Sequence, residues 1–265
     1  MGVPDAVVQR PLGRTGLFVS PIAFGAFKIG RNVGIKYSRG YELPGDEEVA
    51  ELLNGLLDLG INTIDTAPAY GSSEQRIGRL IAHRRREFVV STKVGETFAG
   101  DRSTYDFSDA SVRRCIDNSL HHLRTDVLDV VLIHSDGDDL RVLEETDVVA
   151  TLCSLRECGT VRAIGLSGKT VEGARAALSW ADLIMVEYHL RDRSHEAVMA
   201  EADEGGVGVM VKKGLASGHL SPHEAIPFVL RNRAVTSLVV GTLSLEHLRT
   251  DLRLAEETLA EAGPE

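Results

Sequence analysis

Residues 61–93 read INTIDTAPAYGSSEQRIGRLIAHRRREFVVSTK. Two short runs rich in β-branched residues, Asn62–Asp65 (NTID) and Phe88–Thr92 (FVVST), bracket a longer stretch of helical period. This strand, helix, strand unit recurs on both sides. Pro21–Gly25 (PIAFG) precedes it. Val127–Ile133 (VLDVVLI), Val161–Leu166 (VRAIGL), Leu183–Val186 (LIMV), Val207–Val211 (VGVMV) and Ser237–Val240 (SLVV) follow, making eight candidate strands. Between them lie amphipathic stretches such as Asp46–Leu59, Ser111–Leu123 and Glu144–Cys158. In the first, Leu52, Leu53, Leu56, Leu57 and Leu59 recur near i, i+3, i+4 and i+7, as a helix packed on a sheet requires. Asp46, Ser108, Thr170 and Ser244 occupy expected N-cap positions, and Gly60 and Gly159 expected stops.

Eight buried strands, each followed by a helix and a short connection, predict an α/β fold of the (β/α)8 TIM-barrel type. A barrel of roughly 250 residues is one domain, so residues 1–265 are expected to form a single unit. An open dinucleotide-binding sheet would need GxGxxG after its first strand, and FGAFKIG does not supply it. RPLGRTGLFVS reads as a β-hairpin turning at Arg14-Thr15-Gly16, placed to close the bottom of the barrel. No internal repeat and no linker divides the chain.

Composition excludes several functions. Against 39 Asp plus Glu stand 29 Lys plus Arg, a formal charge of −10, so neither nucleic acid nor an anionic membrane is an expected partner. No apolar run reaches the roughly 18 residues a membrane span needs. The start, MGVPDAVVQRPLG, has no secretory pattern. Cys115, Cys153 and Cys158 lack metal-ligand spacing, so no metal site is expected and the thiols read as reduced and half-buried. The expectation is a cytoplasmic protein, a monomer by default. The run His83-Arg84-Arg85-Arg86 reads as a solvated helix end.

In such barrels chemistry gathers at the C-terminal ends of the strands. Asp65 ends the second strand, with Tyr70 in its loop; Lys93 and His134 end the third and fourth. Ser167, Glu187-Tyr188, Lys212-Lys213 and Gly241-Thr242 end the remaining four. A Lys and an Asp on adjacent strands are tolerable to desolvate as a pair. An ammonium beside a phenol favours the phenolate and lowers the tyrosine pKa from about 10, which suits Tyr70 to proton transfer. His134 could hydrogen-bond a substrate oxygen as charge builds there.

These residues carry a resemblance. INTIDTAPAYGSSEQRIGRLI, FVVSTKVG and VLIHSDG, with GLASGHL and VVGTLSLEHLRTDL towards the carboxyl end, resemble the aldo-keto reductases over nearly the whole chain. The resemblance implies a nicotinamide-dependent oxidoreductase that reduces an aldehyde or ketone, or oxidises the corresponding alcohol or sugar. By it Tyr70 is the proton donor, Lys93 tunes its pKa, Asp65 holds Lys93 and His134 orients the carbonyl oxygen. Phe27 and Lys28 fall where the family places a wall of the substrate pocket. Ser167, Gly168, Glu187, Lys212, Gly214, Leu215, Gly241, Thr242, Ser244, His247 and Asp251 fall where it binds the cofactor, NADP(H) ahead of NAD(H).

Several cofactor positions depart from the family pattern. Gly168 replaces the usual Asn, Glu187 the usual Gln, and Lys212 an aromatic ring that stacks on the nicotinamide. A cation there disfavours the oxidised, positively charged ring unless Glu187 or another carboxylate neutralises it. The usual 2′-phosphate contacts align with Gly241 and His247, leaving Arg249 as a substitute. Short loops after the strands imply an open pocket. Two other readings remain: a cofactor-sensing or regulatory barrel with impaired catalysis, and a barrel lyase or isomerase forming a Schiff base on Lys93.

Overall fold

The structure of the protein, a computed structural model, describes residues 7–34 and 40–263. Residues 1–6, part of the start that shows no secretory pattern, lie outside the described residues. A hairpin, β1 (Arg10–Pro11) with β2 (Phe18–Val19), leads into β3 (Ile22–Gly25). Helix α1 (Asp46–Asp58) precedes β4 (Thr63–Asp65), and α2 (Ser73–Leu80) precedes β5 (Val89–Val94). A second hairpin, β6 (Glu96–Ala99) with β7 (Arg102–Tyr105), stands before α3 (Asp109–Leu123) and β8 (Leu128–His134). Then come α4 (Asp139–Glu145), α5 (Val148–Glu157), β9 (Val161–Ser167), α6 (Val171–Ala177) and β10 (Leu183–Glu187). The chain finishes with α7 (Glu196–Glu204), β11 (Gly208–Lys212), α8 (Pro222–Leu230), β12 (Ser237–Val240) and α9 (Leu245–Ala262).

The strands β3, β4, β5, β8, β9, β10, β11 and β12 pair in that order, all parallel, and β12 pairs back onto β3. This is the (β/α)8 barrel the alternation predicts. Side chains on a strand alternate between its faces, so each strand serves two environments. Ile64, Val90, Val131, Ile133, Ile164 and Ile184 face outward and pack with the helices. Ala23, Val89, Val130, Ala163, Leu183 and Met210 face inward and form the barrel's own core, with Leu12, Leu17 and Val19 of the first hairpin closing it from below. Gly13 (φ +53°) makes that closure possible, because a Cβ there would stand 2.4 Å from Gly208 N.

Four local expectations change. Gly45, not Asp46, caps α1, its N–H donating to the Glu48 carboxylate. The stretch Glu144–Cys158 is not one helix, because the chain breaks at Thr146-Asp147 between α4 and α5. The basic run is not wholly solvated: Arg85 is buried, donating to Asp129 and to the Phe88 carbonyl. Cys158 is exposed rather than half-buried, while Cys115 is buried enough to push its thiol up to about 12. Ser108, Thr170 and Ser244 do cap their helices. Among the described residues no helix is long and apolar enough to cross a membrane.

The plug makes a stability prediction. Leu12 is fully buried, so Leu12→Ala should cost about 2–5 kcal/mol. A denaturant midpoint unchanged from the parent protein would show that the hairpin does not close the core.

Candidate active site

The inward face of each strand changes character along the barrel. Following the alternation upward from the apolar layers, the last inward residues are Asp65, Lys93, His134, Ser167, Glu187 and Lys212, from six different strands. The strands therefore bring three of the four sequence-proposed catalytic residues, Asp65, Lys93 and His134, to one rim.

Asp65 and Lys93 are 4% and 1% exposed. The Lys93 ammonium donates to both Asp65 oxygens and to the Thr66 carbonyl, each at 2.8 Å. Burial works against its charge, but Asp65 and Tyr70 together hold its pKa above the ordinary lysine value. A lysine held charged in this way is no nucleophile, which removes the basis for a Schiff base on Lys93. Tyr70 ends a short 3-10 turn, Pro68–Tyr70, after β4. Its ring centroid lies 4.8 Å from the Lys93 ammonium, 5.1 Å from the Phe27 ring and 6.2 Å from the His134 ring.

The tyrosine's titration corrects the sequence expectation. Lys93 does favour the phenolate, but burial of the hydroxyl is the larger effect and raises the pKa above its usual value. Tyr70 is thus a neutral phenol at ordinary pH, a form that gives up a proton rather than accepts one.

His134 is half-buried, and its partial removal from water lowers its pKa. Its Nδ1 lies 2.8 Å from Glu96 Oε2, with the oxygen off the line of the ring N–H. Glu96 comes from the β6–β7 hairpin, which the sequence analysis missed. Gly95 (φ +102°) turns the chain into it, and a Cβ there would stand 2.1 Å from the Phe107 ring. The same hairpin brings Phe98 under the Arg31 guanidinium, which lies 3.2 Å from that ring's centroid and 5.3 Å from the Phe27 centroid. Phe27 thus stands beside Tyr70 at the mouth, joined by Arg31 and Phe98. Lys28 turns to the Tyr41 ring, 5.8 Å from its centroid.

The cofactor positions form an arc over β9–β12. Lys212 donates to Ser167 Oγ at 2.9 Å and to the Gly168 carbonyl at 2.7 Å. Glu187 does not neutralise it; that carboxylate pairs with Lys213 and His189. Burial, reinforced by Lys213 and Lys93, pushes the Lys212 amine down to about 7. Gly214 packs below against Leu238, Leu215 opens the next turn, and Lys213, Ala216 and Ser217 all take positive φ. Backbone strain of this kind gathers at functional loops. Beyond β12, Ser244 caps α9 by accepting from His247 N, and Thr242 Oγ1 lies 3.3 Å from His247 Nδ1. Asp251, one turn on, is 4% exposed; burial raises its pKa to about 6, against the pull of His247 and His223. Arg249 pairs with Glu246 and lines a groove with Leu57 and Arg10 beside the first hairpin. Nothing places it against Gly241. Among the described residues no cluster of His, Cys, Asp or Glu could hold a metal ion.

Comparison with known proteins places the chain in a family. Residues 21–232 match the Aldo/keto reductase family, and the chain belongs to that family. It is 31% identical to an Arabidopsis thaliana L-galactose dehydrogenase over 80% of this chain and 66% of that protein. It is 30% identical to an Escherichia coli NADH-specific methylglyoxal reductase, covering 80% and 68% respectively. The chain therefore spans about two thirds of the length of these curated relatives. A solved structure of a candidate aldo-keto reductase from Pseudomonas aeruginosa superposes with a TM-score of 0.90 at 42% identity, covering 97% of this chain and 98% of that one.

Lys212 makes a prediction that needs no substrate. Its pKa is about 7 in the folded chain and near 10.5 unfolded. Between those values the unfolded state binds the extra proton, so stability should rise with pH across that window. Lys212→Met should flatten that rise in denaturant titrations. An equal rise in the variant would mean that Lys212 is not buried in the way described.

Proposed function

We propose that the protein is an NAD(P)H-dependent oxidoreductase that reduces an aldehyde or ketone with Tyr70 as proton donor, or oxidises the corresponding alcohol or sugar. The observation that carries this reading is the Tyr70 phenol ring 4.8 Å from an ion-paired Lys93 ammonium at the barrel mouth. A nicotinamide dinucleotide fits the remaining rim. Ser167, Gly168, Glu187, Lys212, Gly214 and Leu215 would hold its nicotinamide end. Gly241 and Thr242, with the N-terminus of α9 at Ser244, offer N–H groups suited to its phosphates. His247 and the buried Asp251 carboxylate would meet its adenosine. When bound, the cofactor supplies the hydride that reaches the carbonyl carbon.

The chain's own residues handle the proton. Tyr70 donates its hydroxyl proton to the carbonyl oxygen, and Lys93 stabilises the phenolate left behind. Asp65 holds Lys93 in place and keeps it charged. His134 contacts the same oxygen, and Phe27, with Arg31 and Phe98, walls the pocket on the far side of Tyr70. The names of the relatives, a sugar dehydrogenase and a methylglyoxal reductase, support small carbonyl or sugar substrates. Gly241 and His247 replace the usual cationic 2′-phosphate contacts and Arg249 is engaged with Glu246, which leaves both NADP(H) and NAD(H) as candidates.

A second reading, a cofactor-sensing barrel without turnover, draws on Lys212, which already engages the Ser167 hydroxyl. Substitution separates the two. Tyr70→Phe should lower carbonyl turnover by about 10²–10⁴-fold, the range a general acid supplies, with cofactor affinity retained. A panel of aldehydes turned over equally by Tyr70→Phe would remove Tyr70 from the chemistry. No turnover by the parent protein, with cofactor bound, would favour the sensing reading.

A further inference from the structure

The β6–β7 hairpin is the one insertion between β5 and α3, and it presents a carboxylate to a ring nitrogen of a catalytic histidine. Its Glu96 is itself fixed: Ser103 Oγ, from the returning strand, donates to Glu96 Oε1 at 2.5 Å. Oε2 lies 2.8 Å from His134 Nδ1. Building on the proposed reductase reading, we infer that Glu96 is a positioning residue that holds the ring proton of His134 on Nδ1, leaving Nε2 as the nitrogen that meets the substrate oxygen.

The physical argument rests on lone pairs. An ionised carboxylate has acceptors and no donor. At 2.8 Å a bare Nδ1 would turn a partial negative charge towards an anionic oxygen, whereas an Nδ1–H is attracted to that oxygen even though it lies off the line of the bond. Glu96 stays ionised across the working range. Burial opposes its charge, but His134, Ser103 and Arg31 outweigh that and hold it at about 2. Four groups bear on the His134 ring from the surrounding elements: Glu96 of β6, Lys93 of β5, Lys212 of β11 and the Tyr70 ring after β4. Burial and the two lysines oppose an imidazolium, Glu96 supports one, and the balance lies below the ordinary histidine value.

The chemical consequence concerns direction. With the proton on Nδ1, the neutral ring offers Nε2 only as an acceptor. That form suits an alcohol, whose hydroxyl can donate to it. A carbonyl oxygen needs a donor, and His134 becomes one at Nε2 only as the imidazolium. Carbonyl reduction therefore gains from protonation of His134, whereas alcohol oxidation gains from its loss. Glu96, by steadying the imidazolium, keeps the reductive form accessible at higher pH.

Nitrogen-15 NMR of the histidine rings tests this in the resting protein, with His134→Asn used to assign the signal. The expected spectrum of the neutral ring has a protonated Nδ1 and an unprotonated Nε2. In Glu96→Gln the amide can accept or donate, so the neutral ring should become a mixture of both tautomers. The alkaline limb of kcat/KM for carbonyl reduction, where activity falls as His134 loses its proton, should also move down by about 1–3 pH units, as loss of a neighbouring opposite charge implies. A parent protein whose neutral His134 carries its proton on Nε2 would overturn the inference, whatever the variant does. So would an unmoved alkaline limb in a folded Glu96→Gln. An Nδ1–H ring in a protein without any turnover would uphold the role of Glu96 while defeating the reductase reading.

Discussion

The site depends on one buried ion pair. Asp65 and Lys93 are almost fully out of water, where either charge alone would cost several kcal/mol. Parallel β4 and β5 lie side by side, with Asp65 opposite Ser91, so Lys93 is the next inward residue above. Two carboxylate oxygens and the Thr66 carbonyl then take up the ammonium. That geometry keeps a positive charge fixed beside Tyr70. Desolvation of the phenol outweighs the pull of that charge and keeps it protonated at rest, and under the proposed reaction a phenolate would find a partner already in place. Removing Asp65 or Lys93 alone would strand the other charge.

Stability and chemistry are separated along the barrel axis. At the lower end Ala23, Val130, Ala163 and the hairpin residues Leu12 and Leu17 make a dry, apolar plug. At the upper end the same inward register carries Asp, Lys, His, Ser, Glu and Lys. Parallel strands all point the same way, so a polar residue at each C-terminal end is enough to gather a site. Loops then modify it: the β6–β7 hairpin brings Glu96 and Phe98, and a strained turn follows Lys212.

Much of this was legible in the sequence because it is written in short-range patterns. Alternating buried runs and helical stretches marked all eight strands to within a few residues. The strand-end rule by itself points to Asp65, Lys93 and His134. What escaped has physical reasons. Glu96 and Phe98 lie in a stretch, ETFAGDRSTY, whose small exposed hairpin carries no core pattern. Arg85 looked like surface in a basic run, since only the fold brings Asp129 to it. Thr146-Asp147 breaks a stretch that keeps helical period on both sides. The pKa of Tyr70 could be given a direction from Lys93 alone, but burial, the larger effect, is a property of the folded mouth.

The central claim is that this mouth binds a nicotinamide cofactor over the Tyr70–Lys93–Asp65 set. The most direct test is a fluorescence titration of the purified protein with NADPH and, separately, with NADH. Trp180, the single tryptophan, and the reduced nicotinamide itself both offer signals. The account predicts saturable binding of at least one of them well below millimolar concentration. Failure of both to bind below millimolar concentration would contradict it, and would leave the buried ion pair as a structural feature of a barrel that does something else.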